Sequence, residues 1–211
     1  MAGQDNPTRS ELIYDHLPKS NQQVIQGTSD QVMNEHLVSR IIKLIAPARN
    51  PQRDNRASSI RQNGAYRPAR VQHVIDGDTV IVSTFWRKLR IRLDSVDCPE
   101  HDQHWGDISR YGLIKLIGGH KILFEEHGQD RHGRTIATIF VQQNTRTSWI
   151  NVNAKMIALG HAWVMRNLNH HLSKKRQDEL NKLENWARTK KVGLWQSSHP
   201  VPPWKWRGDF S

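Results

Sequence analysis

Apolar positions along the chain follow two different periods. Met33, Leu37, Ile41 and Leu44 recur at helical spacing, and Val38, Ile42 and Ile45 widen their stripe beside polar Asn34, Glu35, Arg40 and Lys43. This period predicts one amphipathic helix over residues 32–46. Pro47 and Pro51 close it, and the polar, basic stretch up to Arg67 has the composition of a linker. From residue 70 the period changes to two. Leu89, Ile91 and Leu93 alternate with Lys88, Arg90, Arg92 and Asp94, which predicts a strand with one apolar and one polar face and puts Arg92 on the polar side. Other strands are expected at 70–75, 79–86, 121–126 and 134–142, with Asp76 and Gly77 marking the first tight turn. Helical patterns occupy 106–118, 151–160 and 172–190.

About five short strands with a few helices point to an α+β fold, a five-stranded β-barrel of the oligonucleotide-binding type capped by about three helices. The aromatic residues agree with a core in the later part of the chain. All eight tryptophans lie from Trp86 onward and all four phenylalanines from Phe85 onward, whereas the first 67 residues hold only Tyr14 and Tyr66. Residues 1–31 are rich in Gln, Asn, Ser, Asp and Gly, poor material for a core, and are expected to form a weakly ordered arm. The expected division is therefore an N-terminal helical and disordered extension over residues 1–66 (arm, helix 32–46, basic linker) and one domain over residues 67–211.

Charge narrows the partner. Lys and Arg total 31 against 20 Asp and Glu, a net charge of +11, which favours a polyanion such as nucleic acid or an anionic membrane surface. No stretch approaches the roughly 20 apolar residues of a membrane-spanning helix, which excludes an integral membrane protein. The single cysteine, Cys98, permits neither an internal disulfide nor a cysteine-based zinc cluster. No apolar stretch follows a basic cluster at the start, so the expected residence is cytoplasmic, with secretion by another route left open.

Three short stretches carry the candidate chemistry. Val74-Ile75-Asp76-Gly77-Asp78-Thr79-Val80 puts two carboxylates around a glycine, which alone is ordinary turn chemistry. Arg92-Leu93-Asp94-Ser95-Val96-Asp97-Cys98-Pro99-Glu100 follows, and then Asp130-Arg131-His132-Gly133-Arg134. In this order the set resembles the staphylococcal nuclease, or thermonuclease, family. The resemblance continues through Asn153, Gly160, Ala162-Trp163-Val164, Gly193-Leu194-Trp195 and Pro202-Pro203-Trp204-Lys205-Trp206-Arg207, covers residues 69–207, and leaves out the N-terminal extension.

The resemblance implies a calcium-dependent nuclease that hydrolyses the phosphodiester bonds of DNA, RNA or both, with little sequence preference and 3′-phosphate products. It implies that Asp78 and Asp97 bind the metal with the backbone carbonyl of Cys98, that Glu100 is catalytic, and that Arg92 and Arg134 bind phosphate. These residue types suit that chemistry. Phosphodiester cleavage builds negative charge on the phosphoryl oxygens, which the planar fork of a guanidinium matches. A hard divalent cation prefers carboxylate oxygen, and a glutamate can accept a proton from water or orient it. The alternative is a non-catalytic nucleic-acid-binding or protein-docking module on the same barrel, against which the presence of all five side chains argues.

Other residues have plainer expected roles. Asp76 forms a turn, and Asp130 and Gly133 shape the turn that presents Arg134. His101, His104, His170 and His171 are expected to be polar surface, and Cys98 a small residue beside the metal loop. Arg131, Arg166, Lys174 and Lys175 are candidate backbone contacts that individually fit solvated charges. The stripe on helix 32–46 should be covered, by self-docking on the barrel or by a dimer contact.

Overall fold

The alternation at residues 88–93 forms a strand in which Leu89, Ile91 and Leu93 are buried while Lys88 and Arg90 are exposed. The computed structural model describes residues 66–142 and 149–208. The expected arm, helix 32–46 and linker lie outside the described residues, Tyr66 excepted. The strands are β1 (Arg67–Val74), β2 (Thr79–Ser83), β3 (Lys88–Leu93), β4 (Val96–Asp97), β5 (Lys121–Gln129), β6 (Thr135–Gln142), β7 (Trp149–Asn151) and β8 (Trp163–Val164). The helices are α1 (Gly106–Ile117), α2 (Val152–Ala158), α3 (Lys174–Thr189) and the single turn α4 (Pro203–Trp206).

One sheet runs in the order β3-β2-β1-β5-β6-β7. Its closure comes from β3, which also pairs in parallel with β6 through Ile91 and Thr135, Arg92 and Ile136, and Leu93 and Ala137. Five strands therefore form the expected barrel, and β4 pairs separately with β8. Val80, Val82, Ile91, Phe124, Ala137 and Ile139 are fully buried inside it. Apolar faces of α1, α2 and α3 pack on the same core through Leu113, Ile117, Met156, Ile157 and Leu183. A second cluster of Trp105, Ile108, Trp163, Ala187, Leu194 and Trp195 joins α1, β8 and α3. Among the described residues no helix is long and apolar enough to cross a membrane.

Boundaries shift where pairing or turns override periodicity. β1 starts before the expected residue 70 because Arg67 and Pro68 already pair with Phe124 and Leu123. β2 stops at Ser83 because Thr84 and Arg87 close a turn (Thr84 N to Arg87 O, 2.9 Å), which leaves Phe85 and Trp86 86% exposed at its tip. β5 runs beyond the expected residue 126 by means of a β-bulge. Glu126 pairs with Ala137 and Gly128 with Ile136, so His127 is the additional, unpaired residue. Gly128 adopts a φ of 127°, which its lack of a Cβ permits.

Candidate active site

The β2–β3 hairpin brings the first two candidate residues together. Thr79 pairs with Arg92, and Leu93 N donates to Asp78 O at 2.8 Å, so Asp78 lies beside the end of β3. The chain then reverses at Ser95, whose φ is 60°, and enters β4. Arg92 fills the inside of that reversal. Its Nη1 donates to Leu93 O (3.0 Å) and Val96 O (2.6 Å) and meets Asp78 Oδ2 at 3.1 Å, while Nη2 meets Asp97 Oδ1 at 2.7 Å.

Asp78 is held from its other side by Cys98 N (2.9 Å to Oδ2) and by Thr79 Oγ1 (3.0 Å to Oδ1). Gly77 permits this approach, since a Cβ there would stand 2.7 Å from the Cys98 Cβ and 2.9 Å from the Ser109 Cβ. Asp76 forms the expected turn by accepting from Asp78 N at 3.0 Å. The Cys98 thiol is buried and, chiefly for that reason, its pKa is pushed well up, the opposite of what a nucleophilic cysteine needs.

Burial and the charge of Asp78 raise the carboxyls of Asp76 and Asp97 to about 6, although Arg92 pulls the second of them down. Burial of the guanidinium works against its charge, but Asp78 and Asp97 outweigh it and hold the Arg92 pKa above its ordinary value. The carboxylates are thus crowded and poorly hydrated around Arg92, and Arg207 also draws the Asp97 carboxyl down.

Glu100 joins the group through an arginine far along the chain. Arg207 Nη1 donates to Glu100 Oε1 at 2.5 Å and Nη2 to Asp97 Oδ2 at 3.0 Å. Two further bonds bring that segment over the loop: Gln103 Nε2 to Val201 O (2.6 Å) and Trp206 Nε1 to Asp102 Oδ1 (3.2 Å).

Arg134 stands apart from the carboxylates. It follows a tight turn in which Asp130 Oδ1 accepts from His132 N and Arg134 N, both at 2.9 Å, and Gly133 takes a φ of 72°. Its Nε pairs with Asp130 Oδ2 at 2.6 Å, so Asp130 both builds the turn and orients the guanidinium. Burial opposes the charge of Asp130, yet the donors from Arg134 and His132 hold its carboxyl below the usual value. A single cleft of about 960 Å³ is lined by Asp78, Arg92, Asp97, Glu100 and Arg134, so all five candidate side chains share one concave surface.

Two expectations for other residues change. Arg166, expected as a solvated charge or backbone contact, pairs with the fully buried Glu184, which also accepts from Val164 N at 2.9 Å and lies 3.5 Å from Arg188. Arg166 therefore neutralises an acid that α3 carries into the core. His171, expected as polar surface, hydrogen-bonds Asp94 Oδ2 at 3.0 Å, and the His127 and His171 rings lie 5.0 Å apart inside the same cleft. His101 and His104 are exposed, as expected. The sequence assigns no role to Arg207, Asp94 or His127, all of which line the cleft. Arg207 stood only as the last residue of a terminal motif, and no periodic signal reveals a bulge.

A protein-family model described as staphylococcal nuclease homologue matches residues 90–197. Protein ParB of Escherichia coli is 38% identical over 140 residues, covering 65% of this chain and 77% of that protein. An uncharacterized endonuclease of Escherichia coli is 36% identical over 138 residues, covering 65% and 83%. Micrococcal nuclease of Shigella flexneri is 31% identical over 140 residues, covering 65% and 78%. With more than half of its length matched by the family model, and with relatives aligned over most of their own length, this chain belongs to the staphylococcal nuclease homologue family.

Proposed function

We propose that this protein is a nuclease that uses calcium to hydrolyse phosphodiester bonds in DNA, RNA or both, with little sequence preference. The observation that carries this reading is the convergence of Asp78, Asp97, Glu100, Arg92 and Arg134 on one cleft. The family and the nuclease names of two relatives support hydrolysis of nucleic acid, and the net charge of +11 suits a polyanionic substrate.

The donor set fits calcium. Asp78 and Asp97 touch the same guanidinium and offer hard oxygens, and their burial beside Asp76 makes a crowded acidic cluster whose charge a divalent cation would offset. Asp78, Asp97 and the backbone carbonyl of Cys98 would hold the ion. Bound there, it would neutralise part of the charge of the approaching diester and lower the pKa of a coordinated water. Arg92 and Arg134 donate to phosphoryl oxygens as charge develops on them, from positions fixed by Asp97 and Asp130. Glu100 accepts the proton of the attacking water or orients that water, with Arg207 fixing one of its oxygens.

The catalytic unit in this reading is residues 67–211, with 1–66 as an appendage. Tyr66 packs edge-on against Phe140 with ring centroids 5.4 Å apart, so a truncation that starts at Tyr66 retains this contact. The test is digestion of plasmid DNA, single-stranded DNA and RNA by the full chain and by that truncation. Cleavage in calcium, its arrest by a chelator, and 3′-phosphate ends are expected. Undiminished cleavage in chelator would remove the metal assignment, and 5′-phosphate ends would remove the mechanism.

A further inference from the structure

The cleft holds a second set of ligating side chains that the calcium reading does not use. Asp94, His127 and His171 each offer one ligand atom, and these atoms all lie within 4.8 Å of one another. They come from three parts of the fold: the reversal after β3, the bulge in β5, and the loop before α3. His171 Nε2 is 3.0 Å and His127 Nε2 3.9 Å from Asp94 Oδ2. Asp94 is 3% exposed, and among the described residues these two imidazoles are its side-chain ion-pair partners should they carry a proton.

The surroundings fix the ligands in place. Ser95 Oγ donates to Asp94 Oδ2 at 2.9 Å, Asp94 N donates to Ala137 O at 2.9 Å, and the buried Asn153 donates to Asp94 O at 2.9 Å. His127 is turned into the cluster by the bulge, where its Nε2 also meets Thr138 Oγ1 at 2.9 Å, a hydroxyl that can rotate to another acceptor. Supporting bonds of this kind orient ligands in metal sites. The chemistry of the set selects the ion. Calcium takes oxygen ligands, whereas two imidazoles with one carboxylate suit zinc and related transition ions. All three residues line the open cleft, so a fourth position stays available to water or substrate, as in exchangeable zinc sites.

We propose that Asp94, His127 and His171 form a second metal site, for a zinc-class divalent transition ion, built from none of the residues assigned to calcium. The inference does not depend on the nuclease reading, because its test needs no turnover.

The full chain, kept in saturating calcium, is titrated with cobalt(II) as a spectroscopic probe and then with zinc. A visible cobalt band that saturates at one equivalent, survives excess calcium and is bleached by zinc is expected. His171→Gln, at the most exposed ligand, and His127→Gln should each weaken cobalt binding at least about tenfold, and the double variant should remove the band. Circular dichroism checks the folding of each variant. In the unaltered protein, zinc should move the side-chain nitrogen resonances of two histidines first, assigned as His127 and His171. A band that persists in the folded double variant, resonance shifts confined to other histidines, or no saturable cobalt binding would overturn the proposal.

Discussion

Asp94 and Asp97 are three residues apart, nearly equally buried, and line one cleft, yet their surroundings have opposite character. Asp97 lies between two guanidiniums, Arg92 at 2.7 Å and Arg207 at 3.0 Å, whose charge does not vary over any working pH. Asp94 instead faces two imidazoles, side chains of the kind that titrate and ligate metals. One short reversal thus supplies a carboxylate held between guanidiniums of permanent charge and a second carboxylate that faces imidazoles. The guanidinium region is also structural, since Arg92 bonds the carbonyls of Leu93 and Val96 and holds the loop that carries Asp97.

Replacing Arg92 should have the largest effect. Arg92→Lys is expected to lower turnover at least about a hundredfold, because a point charge cannot replace the fork. Arg92→Ala should also cost the metal-free fold about 3–5 kcal/mol at neutral pH, since Asp78 and Asp97 would be left buried without it. Denaturant unfolding beside single-turnover kinetics separates the two effects.

His161 is the next largest case, a buried imidazole with no carboxylate paired to it among the described residues. Trp105 Nε1 donates to its Nδ1 at 3.2 Å, and burial lowers its pKa to about 4. Between about 6.5 and 4 the unfolded chain binds a proton that the folded chain refuses, so stability should fall as pH drops through this window, by up to about 3 kcal/mol. The raised Asp76 and Asp97 act with the opposite sign over an overlapping range, where the folded chain binds the extra protons. Comparing wild type with His161→Gln by denaturant unfolding from pH 7 to 4 cancels those carboxylates. Equal pH slopes in the two proteins would show that His161 is not buried neutral.

Arg134 sharpens the contrast with Arg92, because its partner is the surface turn of Asp130. Arg134→Lys should also lose about a hundredfold in turnover, but with a change in stability of no more than about 1 kcal/mol. Matched stability losses at Arg92 and Arg134 would show that the two arginines support the fold equally. The smallest effect tests the calcium site proposed above. With the Asp97 carboxyl at about 6, protons compete with the ion below that pH, and calcium affinity measured by calorimetry should fall up to about tenfold per pH unit.

The sequence was most informative where chemistry and local period coincide. The alternation at β3 gives the face of Arg92, the turn at Asp130 and Gly133 needs only nearby residues, and the barrel follows from short strands of regular spacing. What depends on pairing between distant strands was not legible. The bulge at His127 changes the parity of β5 and brings an imidazole beside Asp94 that no alternation would place there. His171 looked like half of an exposed pair because its partner lies 77 positions away. Glu184 sits on a helix face whose other buried residues are apolar, and only the fold shows Arg166 and Val164 N waiting for it.

The bond from Arg207 has a consequence for the order in which the protein is made. Glu100 and Asp97 leave the ribosome 107 and 110 residues before the arginine that joins them. All eight described strands precede that residue, so the barrel can assemble on a growing chain while its acidic loop still lacks this clamp. The order of synthesis thus permits closure of the sheet before the balancing of charge at its mouth, two features that the finished molecule shows together.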